Sequence, residues 1–277
     1  MTKKSGTTKT KTFYDEIGWK EKDGRTVDIE LFGPKEDGPI RMELHILLFN
    51  RMQSALLALG KPLKLLECGC GGNPSRVLAE LCSNYTGVDF SQTGINVARS
   101  RFVGVQIPYD FQVADACALP FADGAFDAVY CGHMIYHIAD VTAQEGAIAE
   151  MLRVTRRGGV VLLIAANPYP LAFPARAAIR LAAVTPILGS ILSRLRPPPP
   201  LPYKPMPIAW IKQQLSRCGS VEVITAGMAS TAVLQNVTEL RRIGRYLWRS
   251  MLWLEANCPM LSAYLGNYVL FVCRKTV

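Results

Sequence analysis

The chain is short of charge and of histidine, and several common functional signatures are missing from it. Only 19% of its 277 residues are charged and three are histidine, which leaves few groups for acid–base work. No G-x-x-x-x-G-K-[ST] occurs, so a P-loop is excluded. The eight cysteines (68, 70, 82, 117, 131, 218, 258 and 273) form no C-x-x-C pair and no zinc spacing. Several fall inside expected strands and read as small buried hydrophobes in a reducing compartment, and no metal site is expected. Met1–Thr12 is basic but has no apolar h-region behind it, which argues against a secretory signal and for a cytoplasmic protein. No apolar run approaches the roughly 20 residues of a membrane span. No internal repeat is visible. Acids are also missing from one long stretch: none lies between Glu150 and Glu222.

What is present centres on Leu63–Asn73, LKLLECGCGGN. Mostly apolar residues run into Glu67, then Gly69 and Gly71 alternate with cysteines, and Asn73-Pro74 opens a new segment. A buried strand, a glycine turn and a helix start in that order make a nucleotide-binding loop. Glycine lets the backbone approach a ligand and take positive φ. Asn73 would cap the helix, with Pro74 at its first position. A dinucleotide fingerprint, G-x-G-x-x-G, fails because Pro74 occupies its sixth position.

These residues resemble the first motif, acid-x-Gly-x-Gly-x-Gly, of the class I S-adenosylmethionine (SAM) dependent methyltransferases. Further likenesses follow in register. Tyr85–Ser91 (YTGVDFS) looks like a second strand ending in the ribose-binding acid, Asp89. Val113-Ala114-Asp115-Ala116 looks like the end of the third strand, where the family reads adenine. Phe121–Cys131 looks like the loop and fourth strand, and Glu150–Val154 with Arg157-Gly158-Gly159 resembles the helix and turn before the fifth. The resemblance covers about residues 60–166. It implies SAM as cofactor, Glu67 near the methionine end, and Gly69 and Gly71 giving backbone access. It also implies Asp89 on the ribose hydroxyls, Phe90 on adenine, Asp115 and Ala116 at the adenine edge, and Cys131 contributing through its backbone. The third glycine of the motif is Asn73 here, whose side chain would crowd the methionine moiety or cap the helix.

The pattern of elements predicts an α/β fold: a doubly wound, seven-stranded Rossmann-like sheet with a helical, proline-rich insertion between strands five and six. Strands are expected at 63–68, 85–89, 110–114, 126–131, 159–166, 221–224 and 267–273. Helices are expected at 39–59, 74–83, 91–101, 142–156 and 208–218. Residues 1–38 read as a flexible tail and cap segment, with 1–12 disordered, and 39–277 as the methyltransferase domain. Tyr14 and Trp19 would either cover the cofactor or pack into the core. The insertion, 167–207, carries an arginine-flanked apolar run over 171–196 and then Pro197–Pro200. It fits a lid over a greasy pocket, a helix in the membrane interface, or an ordinary packed helix.

Charge is divided unevenly. Residues 151–277 hold 16 of the 31 Lys and Arg but only three of the 22 Asp and Glu, namely Glu222, Glu239 and Glu255. That asymmetry fits an anionic partner or a solvated basic face. The expected acceptor is small and lipophilic or anionic, reached at an anionic membrane surface, with O-methylation as the leading reaction. Gly132–His137 (GHMIYH), after the fourth strand, supplies the candidate catalytic residues: His137 as base, with His133 or Tyr136 orienting the acceptor. A histidine there would also serve structurally, through a backbone carbonyl. The rivals are an RNA methyltransferase using the basic half and a degenerate fold acting as a partner subunit. The first lacks an (Asn/Asp/Ser)-Pro-Pro-aromatic motif after strand four, which argues against nucleic acid. The second is disfavoured because the glycine turn and Asp89 are intact.

Overall fold

In strand β1 (Lys64–Cys68) successive side chains point to opposite faces of the sheet, and from Leu65 onward all are buried. A strand buried on both faces belongs inside a parallel sheet covered by helices on each side. The computed structural model, which describes residues 4–22, 25–27, 39–60, 63–170, 201–227 and 241–277, has that arrangement. The further strands are β2 (Asn84–Asp89), β3 (Tyr109–Val113), β4 (Phe126–Gly132), β5 (Thr155–Ala166), β6 (Gly219–Gly227) and β7 (Tyr268–Lys275). They lie in the order β3-β2-β1-β4-β5-β7-β6. All neighbours pair in parallel except β7, which runs antiparallel between β5 and β6.

The helices are α1 (Lys4–Phe13), α2 (Pro39–Leu57), α3 (Arg76–Ala79), α4 (Gln92–Phe102), α5 (Val141–Val154), α6 (Ile208–Leu215), α7 (Arg241–Asn257) and α8 (Pro259–Leu265). One face of the sheet packs Leu66, Val129, Leu163 and Phe271 against Ile148 and Met151 of α5 and Ile211 of α6. The other packs Leu65, Tyr85, Ala128 and Leu162 against Leu56 of α2 and Ile95 and Phe102 of α4. Each such aliphatic side chain contributes about 1.5–3 kcal/mol relative to exposure.

Several sequence expectations need correction. Residues read as a disordered tail form α1 from Lys4 onward, followed by a π-helical turn at Tyr14–Gly18. The helix after the glycine turn is four residues long, not 74–83. Ser75, not Asn73, caps it: Ser75 Oγ accepts from Leu78 N at 3.4 Å. Asn73 is exposed, so its side chain does not crowd the turn. The fifth strand begins at Thr155, inside the expected helix, because Thr155 pairs with Phe126 of β4; Arg156–Gly159 then bulge before the ladder resumes at Ala128 and Val160. Helices α7 and α8, between β6 and β7, were not anticipated. Most of the proline-rich insertion, 171–200, and the stretch 28–38 lie outside the described residues. Among the described residues no helix is long and apolar enough to cross a membrane.

Candidate functional site

The strand order reverses between β1 and β4, and in open α/β sheets the carboxyl ends of the strands at such a reversal are where ligands bind. The chain leaves β1 through Gly69 and Gly71, which take φ of +76° and +51°. The amides of Gly69 and Cys70 both donate to the Val88 carbonyl at 2.8 and 3.0 Å, which ties the turn to β2. Space as well as φ demands glycine. A Cβ on Gly69 would lie 2.6 Å from Met134 Cγ, and one on Gly71 would run into the Trp19 indole.

Two buried carboxylates flank the turn. Glu67, at the end of β1, accepts from the Ser75 amide at 2.9 Å and from the Tyr85 hydroxyl, so it ties the start of α3 to the sheet. Burial is the main cause that raises its pKa, to about 7; the two hydrogen bonds oppose the rise and Asp89 adds to it. Asp89, at the end of β2, accepts from Ser91 N at 2.9 Å and Gly71 N at 3.0 Å. Burial again dominates and lifts its pKa to about 6 against those same bonds. A pair of desolvated acids beside a glycine cradle is built to meet a cation or a set of hydroxyl donors.

The N-terminal segment closes over this turn. Asp15 Oδ1 accepts from Ser91 Oγ at 2.7 Å, Thr93 Oγ1 donates to the Asp15 carbonyl at 2.9 Å, and Lys11 Nζ reaches the Phe90 carbonyl at 2.7 Å. Tyr14 stacks on Trp19 with ring centroids 5.3 Å apart and meets Phe90 edge-on. The Trp19 indole fills the niche between Gly71, Gly72 and Gly94. Its buried Nε1 has no hydrogen-bond partner.

After β4 the chain makes a strained corner. His133 is the one described non-glycine residue with positive φ, at +59°. Its ring is open to solvent at the rim yet surrounded by protein on its other sides. That burial, with His137 and His45 nearby, holds its pKa down to about 4. His133 Nδ1 lies 3.0 Å from the Tyr136 hydroxyl, and its ring meets Tyr268 edge-on at 4.8 Å. His137 Nδ1 lies 3.0 Å from the Pro202 carbonyl. A carbonyl only accepts, so Nδ1 carries the proton and Nε2 carries the lone pair. Burial lowers the His137 pKa, partly offset by that carbonyl. Tyr203 packs against Tyr136 at 5.4 Å, and Lys204 N donates to the Tyr136 carbonyl at 2.8 Å. Tyr136, Tyr203, Tyr268 and the two histidines therefore form one wall beside the glycine turn, which Met134 joins to it.

The remaining expected site residues sit as follows. Phe90 is half-buried under Tyr14. Asp115 is exposed just beyond β3, where Oδ1 accepts from Cys117 N at 2.9 Å, and Ala116 is half-buried beside it. Glu150 and Arg153 of α5 clasp this loop: Glu150 accepts from Leu119 N at 2.7 Å and Arg153 donates to the Phe121 carbonyl at 2.8 Å. The Cys131 side chain is fully buried, with its thiol pushed up to about 12, so only its backbone can face a ligand. Tyr203, Tyr268 and the Asp15–Lys11 clamp had no sequence signal. They arrive from far along the chain and match no local motif.

A model of the methyltransferase domain family matches residues 66–163. A ubiquinone biosynthesis O-methyltransferase of Xanthomonas axonopodis pv. citri is 36% identical over 113 residues, 40% of this chain and 46% of that protein. A demethylmenaquinone methyltransferase of Thermus thermophilus is 33% identical over 148 residues, 52% of this chain and 66% of that one. The chain thus spans about half to two thirds of the length of these relatives. The crystal structure of magnesium protoporphyrin IX methyltransferase from Synechocystis, with bound S-adenosylhomocysteine, shares the fold over 97% of this chain and all of that one. Its TM-score is 0.57 at 14% identity. With its strand order, its glycine turn between two buried acids and these likenesses, the chain belongs to the class I SAM-dependent methyltransferases.

Proposed function

We propose that the chain transfers a methyl group from SAM to a small, lipophilic acceptor, with O-methylation as the leading reaction and His137 as the base. The observation that carries the cofactor reading is the pair of buried carboxylates, Glu67 and Asp89, with pKa values raised to about 7 and about 6 on either side of the Gly69–Gly71 turn. Isolated buried carboxylates are costly, and a ligand bearing positive charge and hydroxyls relieves both. SAM, when bound, supplies an activated methyl group on a sulfonium together with an ammonium and a ribose diol.

In this reading Glu67 faces the methionine end and Asp89 takes the ribose hydroxyls. Phe90 packs on adenine, Asp115 and Ala116 meet its edge, and Cys131 lends its backbone. Trp19 and Tyr14 exclude water from above and must shift to admit the cofactor, because the indole fills the cradle. Methyl transfer asks the protein mainly to hold the nucleophile in line and dry. The wall of Tyr136, Tyr203 and Tyr268 suits a flat apolar acceptor, and the relatives named for quinone biosynthesis support that class. His137, its Nδ1 proton directed at the Pro202 carbonyl, presents Nε2 to take the acceptor's proton. His133 and Tyr136 orient the acceptor.

Isothermal titration with SAM tests the cofactor reading. The wild type should bind, and Asp89→Ala should weaken binding by about 1–3 kcal/mol as charge-assisted hydrogen bonds are lost. Equal affinity in the two proteins would sink the ribose assignment.

A further inference from the structure

Helix α7 has two unlike faces. Trp248 and Glu255, seven residues apart, point inward. The Trp248 indole N–H donates to Glu43 at 2.9 Å, and Glu255 faces Arg51 at 3.8 Å. At 3.6 residues per turn, positions two residues from these lie on the opposite side of the helix. There stand Tyr246, Ser250 and Trp253, with Arg249 beside them, and Tyr246 is 72% and Trp253 63% exposed. Helix α8 follows at once and exposes Met260, Leu261 and Tyr264. Large aromatic and aliphatic side chains clustered in the open are unusual on a protein that keeps only water around it.

The patch sits at the rim of the site. Asn167, just past the end of β5, donates its side-chain amide to the carbonyls of Tyr264 and Gly266, both at 2.9 Å. Two residues later, Tyr268 meets His133. Its charge has one sign. Among the described residues the patch holds Arg249, while the acid of α7, Glu255, is buried against Arg51 on the other face. Exposed Tyr and Trp beside arginine match the headgroup layer of a bilayer, and Met260 with Leu261 match the acyl boundary beneath it. Aliphatic side chains offer nothing to stacked bases, so a nucleic acid fits less well.

We propose that the outer face of α7 and α8 docks on an anionic lipid bilayer and presents the rim beside His133 and His137 to an acceptor dissolved in it. The inference rests on the lipophilic-acceptor reading and adds to it the surface by which the acceptor is reached. It places membrane contact on residues 246–264.

The test is sedimentation of the full chain with vesicles of phosphatidylcholine and phosphatidylglycerol, against phosphatidylcholine alone. Binding should favour the mixed vesicles and weaken in high salt. A triple variant, Tyr246→Ser, Arg249→Glu and Trp253→Ser, should lose at least on the order of tenfold in partitioning. Its SAM affinity by calorimetry should be unchanged, which shows that the fold and cofactor site are intact. Wild-type binding that is absent, or is no weaker in the variant, overturns the proposal. So does light scattering that finds a dimer dissociated by the same substitutions, since the face would then join two copies, and so does preference for a short RNA over vesicles. SAM binding reports on the methyltransferase reading separately: loss of vesicle binding with SAM affinity retained refutes the docking face alone.

Discussion

The half of the chain that precedes Ala166 and the half that follows it are built differently. In the first, acids are buried and used. Glu67 and Asp89 sit beneath the glycine turn, and Glu150 ties a loop to α5. In the second, acids are nearly absent and aromatic rings are left in the open, at Tyr169, Tyr203, Tyr246, Trp253 and Tyr264. A cofactor with fixed chemistry calls for a fixed, desolvated pocket assembled from neighbouring strand ends. An acceptor site varies with the acceptor and can be assembled from segments far apart in sequence. The two meet at one place, where His137 from the first half is oriented by Pro202 from the second.

That meeting point is where the comparison is most easily broken. Replacing His137 with Gln should lower kcat by about 10²- to 10⁴-fold if the imidazole takes a proton in the transition state. SAM affinity should stay unchanged. Because burial holds the His137 pKa below its usual value, the acid limb of the wild-type pH–rate profile should lie below that of an exposed imidazole. A full rate in the variant across neutral pH would leave positioning alone to carry the reaction.

Glu67→Gln should sharpen the account of the first half. The folded carboxyl titrates near 7 rather than at its ordinary value, so its stabilising contribution is complete below about pH 4.5 and is lost as pH rises through 7. A glutamine oxygen can accept from both Ser75 N and Tyr85, as the carboxylate does now. The variant should therefore melt at a higher temperature than the wild type at pH 8 and at about the same temperature at pH 5, while binding SAM more weakly. A pH-independent difference in melting would refute the buried-charge explanation.

A subtler effect belongs to the cap. Trp19→Phe keeps a ring over Gly71 and removes the unpartnered Nε1. It should leave stability within about 1 kcal/mol and abolish the change in tryptophan fluorescence expected when SAM displaces the indole. The smallest effect should come from the second half's surface: Arg217→Ala, which removes an exposed pair with Glu145, should cost about 0–1 kcal/mol in chemical denaturation.

Much of the first half was legible because its signals are local. The apolar run into Glu67, the glycines at 69 and 71 and the acid 22 residues on each report on a strand end or a turn with one backbone solution. Ser75 rather than Asn73 as the cap was not legible, since both residue types cap and the choice depends on where Glu67 reaches. Helix α1, with the sequence KSGTTKTKTF, shows no apolar periodicity. The segment is held down by Lys11 at the Phe90 carbonyl and Asp15 at Ser91 and Thr93. The wall of Tyr136, Tyr203 and Tyr268 escaped notice because its members are separated by 60 residues or more, and no spacing rule acts over such distances.

The sequence by itself determined the alternation of strands and helices, the turn at Gly69–Gly71 and the acids at 67 and 89, because backbone sterics and the burial of apolar side chains act within a few residues. Only the tertiary structure decided that both acids would be desolvated and that Trp19 would fill the cradle. It alone fixed the direction of the His137 lone pair and the outward face of α7. Each of those depends on which distant segments pack together and on the water that their packing removes.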